Sequence, residues 1–172
     1  MTYQDALQAS RILELLEKFD PTVVGTLPLG LAVASSDIDI VCAARDPDAF
    51  ADVVWDTLRH VRGFRLYRWR DDGRPAVARF EFGGWPFELF ADRRPVCEQR
   101  AWRHFDVERR LLALDSGWLR QSVLRLRGDG LKTEPAFAAA LKLDGDPYLA
   151  MLALFPERDA QLRVRLANAS SQ

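Results

Sequence analysis

The chain has 172 residues, 48% of them hydrophobic, which bounds it to one domain, or one domain with a helical appendage, and supplies ample apolar surface for a core. Its 24 basic and 25 acidic residues leave a net charge of −1, so no global field draws it to nucleic acid or to an anionic membrane. Cys42 and Cys97 lie far apart without metal-ligand spacing, no run approaches about 18 apolar residues, and Met1-Thr2-Tyr3-Gln4-Asp5 carries no secretory pattern, so neither a disulfide framework nor a membrane span is expected and the cytoplasm is the expected location.

Tyr3 to Phe19 reads as one amphipathic helix, ended by Asp20-Pro21 because the residue before proline is pushed out of the helical region. Thr22 to Thr26 is the first predicted strand, Gly25 permits a tight turn, and Pro28 and Gly30 punctuate a loop. Ser36 to Cys42 is the second strand, with Cys42 as a small core residue. It carries Asp37 and Asp39 in alternation, and residues two apart in a strand share a face. Two carboxylates side by side repel each other and are costly to desolvate, a cost that a divalent cation relieves; hard oxygen ligands suit Mg²⁺.

Asp46 is the expected N-cap of a helix with Pro47 in its first position and Phe50, Val53, Val54, Leu58 and Val61 on its buried face. Phe64 to Trp69 reads as a strand, Asp71-Asp72-Gly73 as a hairpin turn, Ala76 to Phe82 as a strand, Gly83-Gly84 as a turn and Trp85 to Ala91 as a fifth strand. Glu88 stands alone in that last apolar run, and a lone carboxylate there calls for a partner. From Val96 the chain turns helical: Val96 to Leu114, Gly117 to Arg127, a helix capped by Thr133, one from Asp146-Pro147 through Leu154, and a polar helix to Asn168 before a frayed tail. The fold class is therefore α+β, a mixed sheet flanked by helices with a C-terminal helical part: 1–94 forms the core, and 95–172 packs on it as part of a single compact unit.

The stretch Val24-Gly25-Thr26, a gap from Leu27 to Ser36, then Asp37-Ile38-Asp39-Ile40 resembles the signature of the nucleotidyltransferase (polymerase beta-like) superfamily, with Thr26 where Gly or Ser is usual. Gly25-Thr26-Leu27-Pro28-Leu29-Gly30, Phe87-Glu88-Leu89-Phe90, Glu98-Gln99-Arg100-Ala101-Trp102-Arg103-His104 and Gly130-Leu131-Lys132-Thr133-Glu134-Pro135-Ala136-Phe137 resemble more closely a small bacterial family of unknown function, DUF4269, over roughly Pro21 to Tyr148. The resemblance implies a nucleotidyltransferase-like fold, with Asp37 and Asp39 holding Mg²⁺ (or Mn²⁺) and Glu88, in place of the more usual Asp, as the third carboxylate that helps activate an acceptor.

Gly25 and Thr26 are candidates to cradle phosphates, since backbone N–H groups and a hydroxyl bind phosphate oxygens where no side chain blocks approach. Ser36 is a weaker candidate that doubles as a strand cap. His104 and Glu108 are four apart on one helix face. The plain reading is a solvated ion pair; the functional one turns Arg100, Arg103 or His104 toward phosphates. Lys132, beside a helix start, suits an anion. Arg62, Arg65, Arg68, Arg70, Arg74 and Arg79 could form a basic stripe for RNA, but Asp71, Asp72 and Glu81 interrupt it, and a solvated hairpin is the safer reading.

The expected activity is Mg-dependent transfer of a nucleoside monophosphate from a nucleoside triphosphate to a hydroxyl on a small molecule, protein or RNA. The alternative is a catalytically quiet binding or regulatory protein of the antitoxin or immunity type. The two differ at Glu88: an enzyme needs it converging with Asp37 and Asp39, whereas a binding module has it turned into the core or paired to an arginine. A phosphohydrolase is disfavoured because no general base beyond Glu88 is evident.

Overall fold

The computed structural model describes residues 1–70 and 73–170, so the Asp71-Asp72 part of the predicted hairpin turn and the last two residues of the predicted tail lie outside the described residues. The chain divides into two compact units, Met1–Leu27 with Ser35–Trp102, and Pro28–Ala34 with the chain from Arg103 onward.

In the first unit the predicted N-terminal helix is interrupted. Helix α1 (Tyr3–Ser10) opens on a capping box between Thr2 and Asp5 and stops at Arg11, whose φ of 51° is left-handed; α2 (Ile12–Leu15) and a 3-10 turn (Glu17–Phe19) follow. Ala6, Ile12, Leu16 and Phe19 all reach the core. On an unbroken helix of 3.6 residues per turn, Ala6 would lie about 80° to 140° away from the other three. The break at Arg11 brings them together.

Strand β1 (Thr22–Val24) ends two residues earlier than predicted, because Gly25 turns the chain with φ 76° and Thr26 opens a single helical turn, α3 (Thr26–Leu29), where a loop was expected. Pro28 is tolerated there because the first N–H groups of a helix have no internal partner to lose. Strand β2 (Ile38–Ala43) follows, then α4 (Pro47–Leu58), whose N-cap Asp46 accepts from the N–H groups of Asp48 at 2.9 Å and Ala49 at 3.3 Å as its sequence anticipates. Strands β3 (Arg65–Arg68), β4 (Ala76–Phe82) and β5 (Trp85–Asp92) complete the sheet. Gly83 and Gly84 join the last two with φ of 61° and 84°, the two positive values that a tight two-residue hairpin turn demands.

The five strands are ordered β1-β2-β5-β4-β3. β2 and β5 are parallel; the other three pairs are antiparallel. Ile38, Ile40 and Cys42 of β2, Phe87 and Leu89 of β5, and Ala78 and Phe80 of β4 pack in one core with Phe50, Val54 and Leu58 of α4. Burial there pushes the Cys42 thiol up to about 12, in keeping with an inert core residue. Because strand side chains alternate, the odd-numbered Asp39 and Arg79 and the even-numbered Glu88 belong to the opposite face.

The predicted helix from Val96 to Leu114 is split. A 3-10 turn (Val96–Glu98) is followed by an extended Gln99, and α5 (Arg100–Leu114) starts after it. Gln99 is 1% exposed. Its Nε2 donates to the carbonyls of Cys42 at 2.9 Å and Arg94 at 3.0 Å. Those two bonds fix the side chain inward and take the residue out of helical conformation.

The second unit contains the rest of α5, then α6 (Trp118–Gly128), α7 (Thr133–Ala140), α8 (Pro147–Ala153) and α9 (Asp159–Ser170). Leu111, Leu119, Val123, Phe137, Met151 and Leu162 are fully buried in it. Arg120 Nη1 donates to the carbonyl oxygens of Leu29 at 2.6 Å and Gly30 at 3.3 Å, which ties the 28–34 segment to α6. Thr133 is not an N-cap as predicted. Lys132 occupies that position without a side-chain cap bond, and the Thr133 hydroxyl accepts from Arg127 instead. The His104–Glu108 face of α5, predicted to be solvated, is buried at 8% and 3% exposure. No helix among the described residues is long and apolar enough to cross a membrane.

Candidate functional site

The site grows from the contact between Gly25 and Asp39. Val24 and Asp39 are partners across β1 and β2, which brings the turn after β1 against the start of β2. A Cβ on Gly25 would come within 2.2 Å of Asp39 Oδ2, and Gly25 has a left-handed φ of 76°. Only glycine meets both conditions. Thr26 Oγ1 donates to Ser36 Oγ at 3.2 Å, so the ends of the ten-residue gap close on each other. Ser36 is 6% exposed. Asp37 is the residue before β2 and Asp39 its second, and both are half-buried.

Glu88 lies on β5 between the buried Phe87 and Leu89 and is the direct register partner of Asp39 across the parallel pair. Neighbouring strands are about 4.8 Å apart, so the two carboxylates leave adjacent backbones on the same face. On the far side of Glu88, Arg79 of β4 is its antiparallel partner, and Arg65 of β3 is next in line. Asp39, Glu88, Arg79 and Arg65 therefore form a row across four strands. Arg79 donates to Glu88 Oε2 through both Nε and Nη2. Its bond to Glu88, with smaller contributions from Tyr67 and then Asp37 and against the opposing effect of burial, raises the Arg79 guanidinium above its ordinary range.

The donor set of Asp37 and Asp39 fits a divalent cation: hard carboxylate oxygens, partly exposed, beside a glycine whose missing side chain leaves room for one of them. Glu88 is committed to Arg79 in this arrangement. Among the described residues no three His, Cys, Asp or Glu side chains are gathered as a metal site requires. The residues thus suit a metal at the two aspartates, and at Glu88 only once Arg79 has released it.

The remaining predicted residues lie elsewhere in the chain. Arg100, the first residue of α5, is exposed, as is Lys132 before α7. His104 belongs to the helical unit and meets the ring of Tyr148 edge-on, with centroids 6.3 Å apart. Nearby, Glu108 is pushed well above the usual carboxylate range by burial, and secondarily by the Glu134 charge, against the opposing pull of Arg127.

A family model described as a domain of unknown function (DUF4269) matches residues 5–154. The chain belongs to the DUF4269 family. No curated protein matches this DUF4269 chain. Among solved structures it is similar to the Cid1 poly(U) polymerase bound to MgGTP, at 18% identity and a TM-score of 0.55 over 73% of this chain and 40% of that one. A second Cid1 structure, described for its RNA terminal uridylyl transferase activity, is 16% identical with a TM-score of 0.57 over 86% of this chain and 44% of that one. The GLD-2/RNP-8 complex is 13% identical with a TM-score of 0.58 over 96% of this chain and 73% of that one. The DUF4269 chain therefore has a nucleotidyltransferase-type fold, and it spans less than half the length of the Cid1 chains it resembles.

Sequence reasoning placed Arg79 in a strand but did not connect it with Glu88. The signal was present. A two-residue turn at Gly83-Gly84 sets Phe82 opposite Trp85, and counting back along both strands sets Arg79 opposite Glu88.

Proposed function

We propose that this protein is a divalent-cation-dependent nucleotidyltransferase, which joins the α-phosphorus of a nucleoside triphosphate to an acceptor hydroxyl oxygen while the bond to the departing pyrophosphate breaks. The observation that supports this reading is the placement of Asp39 beside Glu88 on one sheet face, with the Gly25 turn packed against Asp39. In this reading Asp37 and Asp39 hold Mg²⁺ or Mn²⁺. The ion supplies charge against the triphosphate and lowers the pKa of the acceptor hydroxyl. Glu88, released from Arg79, accepts the hydroxyl proton. The N–H groups at the Gly25 turn and the hydroxyls of Thr26 and Ser36 orient phosphate oxygens. Arg100 is the further cation this reading offers to phosphate. The acceptor is a hydroxyl-bearing small molecule, protein or RNA.

One observation favours a second reading. Glu88 is paired to an arginine, the arrangement expected of a catalytically quiet protein that keeps the fold for binding. The two readings part on nucleotide. Calorimetric titration with ATP, GTP, CTP and UTP in Mg²⁺, repeated with the Asp37→Ala/Asp39→Ala double variant, tests both. Binding that the double variant loses supports the enzyme and names its donor. No heat with any nucleotide in Mg²⁺ or Mn²⁺, from protein shown to be folded, overturns it and favours the quiet binder.

A further inference from the structure

We propose that Arg79 is a polyphosphate-binding residue that rests on Glu88 until a divalent cation takes its place, so that cation and nucleotide bind as a coupled pair; the inference depends on the nucleotidyltransferase reading above.

The position of Arg79 is fixed by the sheet. It is the cross-strand partner of Glu88, which in turn is the partner of Asp39. Its guanidinium gives two donors to a single oxygen, Glu88 Oε2. Asp37 also adds to the negative field it feels. The arginine therefore stands as the positive charge for a group of carboxylates that otherwise repel one another. A divalent cation arriving at Asp37 and Asp39 takes over that task and repels the guanidinium.

The side chain is free to answer. That of Arg79 is 54% exposed and that of Glu88 25%, so the guanidinium can swing away without opening the core behind the sheet. A released guanidinium presents a planar fork of donors that matches two phosphate oxygens, which makes arginine a stronger choice than lysine for a polyphosphate. It starts one strand away from Glu88 and two from Asp39, on the same face of the sheet, and so needs only to re-aim. Arg65, next in the row, is exposed and adds positive charge on the outer side.

The exchange has a thermodynamic signature. While Arg79 holds Glu88, a cation alone must compete with it, and its affinity is reduced. Once the cation is bound, Arg79 is available to phosphate, and nucleotide affinity is raised. The two ligands then strengthen each other by the same factor, as linkage requires. Removing the guanidinium should move the two affinities in opposite directions. A merely structural arginine would leave both unchanged or weaken both.

The test is Mn²⁺ binding followed by paramagnetic resonance, then calorimetric titration of each of the four nucleoside triphosphates in saturating Mn²⁺, on the wild type, Arg79→Met, Arg79→Gln and Asp37→Ala/Asp39→Ala. Circular dichroism selects the folded Arg79 variant. The expected result is Mn²⁺ alone bound about three- to tenfold more tightly, and nucleotide about tenfold more weakly, in the Arg79 variant. If the wild type binds Mn²⁺ and nucleotide, loses both in the double aspartate variant, and keeps both affinities on loss of Arg79, the nucleotidyltransferase reading stands and the role given to Arg79 falls. If both affinities weaken together, Arg79 is structural. If neither the wild type nor any variant binds Mn²⁺ or nucleotide, both proposals fall.

Discussion

Asp39 and Glu88 lie side by side in register on two parallel strands, although they are 49 positions apart in the chain. The pairing concentrates like charge on one sheet face, and Arg79, the next residue along the row, balances it. Two carboxylates held at strand spacing with one guanidinium form a polar site that a cation could reorganise.

Replacing Glu88 by Gln should change stability little. The Arg79–Glu88 pair is partly exposed, at 54% and 25%, and such pairs contribute up to about 1 kcal/mol. Urea unfolding of Glu88→Gln should therefore stay within about 1 kcal/mol of the wild type, while Mn²⁺ binding weakens. A loss of stability above about 3 kcal/mol, with metal binding unaltered, would mark the pair as structural and favour the quiet binder.

Gly25→Ala meets two separate penalties. The left-handed φ costs an alanine about 1–2 kcal/mol, and the new Cβ meets Asp39 Oδ2 at 2.2 Å. Asp39→Ala removes only the second penalty. A double-mutant cycle by urea unfolding should thus show that Gly25→Ala costs clearly less in the Asp39→Ala background, where about 1–2 kcal/mol of backbone cost remains. An additive cycle would show that the two residues do not press on each other.

Gln99→Leu should cost about 1–3 kcal/mol, because two carbonyl partners, the buried one of Cys42 and the part-buried one of Arg94, each lose a donor. The Cys42 carbonyl is on β2, so the loss falls beside the site strand. Thermal unfolding of this variant and of Gln99→Glu measures it, and an unchanged melting temperature would remove Gln99 from the account.

Glu108 gives the chain a predictable response to pH. The residue is 3% exposed, its Oε1 has no hydrogen-bond partner among the described residues, and its pKa is raised well above 4.5. Below the unfolded pKa the group is protonated in both states and costs nothing. As pH rises past that value the unfolded chain releases the proton and the folded one keeps it, so stability falls until the folded pKa is passed. Glu108→Gln should therefore gain stability over the wild type between about pH 5 and pH 8, measured as the difference in unfolding free energy at the two ends. A difference independent of pH would show that Glu108 ionises freely in the fold.

Much of the fold was legible because its local rules agree. The strands at Ala76–Phe82 and Trp85–Asp92, the glycine pair between them, and the Asp46–Pro47 start of α4 each combine alternation, turn chemistry or capping within a few residues. The breaks at Arg11 and Gln99 were not legible. Neither residue carries a local stop signal. One break serves to align Ala6 with Ile12, Leu16 and Phe19 in the core, and the other serves two carbonyls, one of them on a strand 57 residues earlier. The burial of His104 and Glu108 escaped notice for a similar reason: a polar pair four apart on a helix reads as a wet face unless its neighbours in space are known.

By itself the sequence determined the strand that carries Asp39, although it starts at Ile38 and leaves Asp37 just before it, the need for glycine at position 25, the lone Glu88 in its apolar run, and, through the two-residue turn, the partnership of Arg79 with Glu88. Turn length and the period of two are local, and they propagate register along a hairpin without help. Tertiary structure alone decided that β5 would insert beside β2, parallel and with Glu88 level with Asp39. A parallel pair has no connecting turn to count from. Its register is set by how Ile38, Ile40, Phe87 and Leu89 pack into one core with α4, and that packing places the carboxylates on the other face.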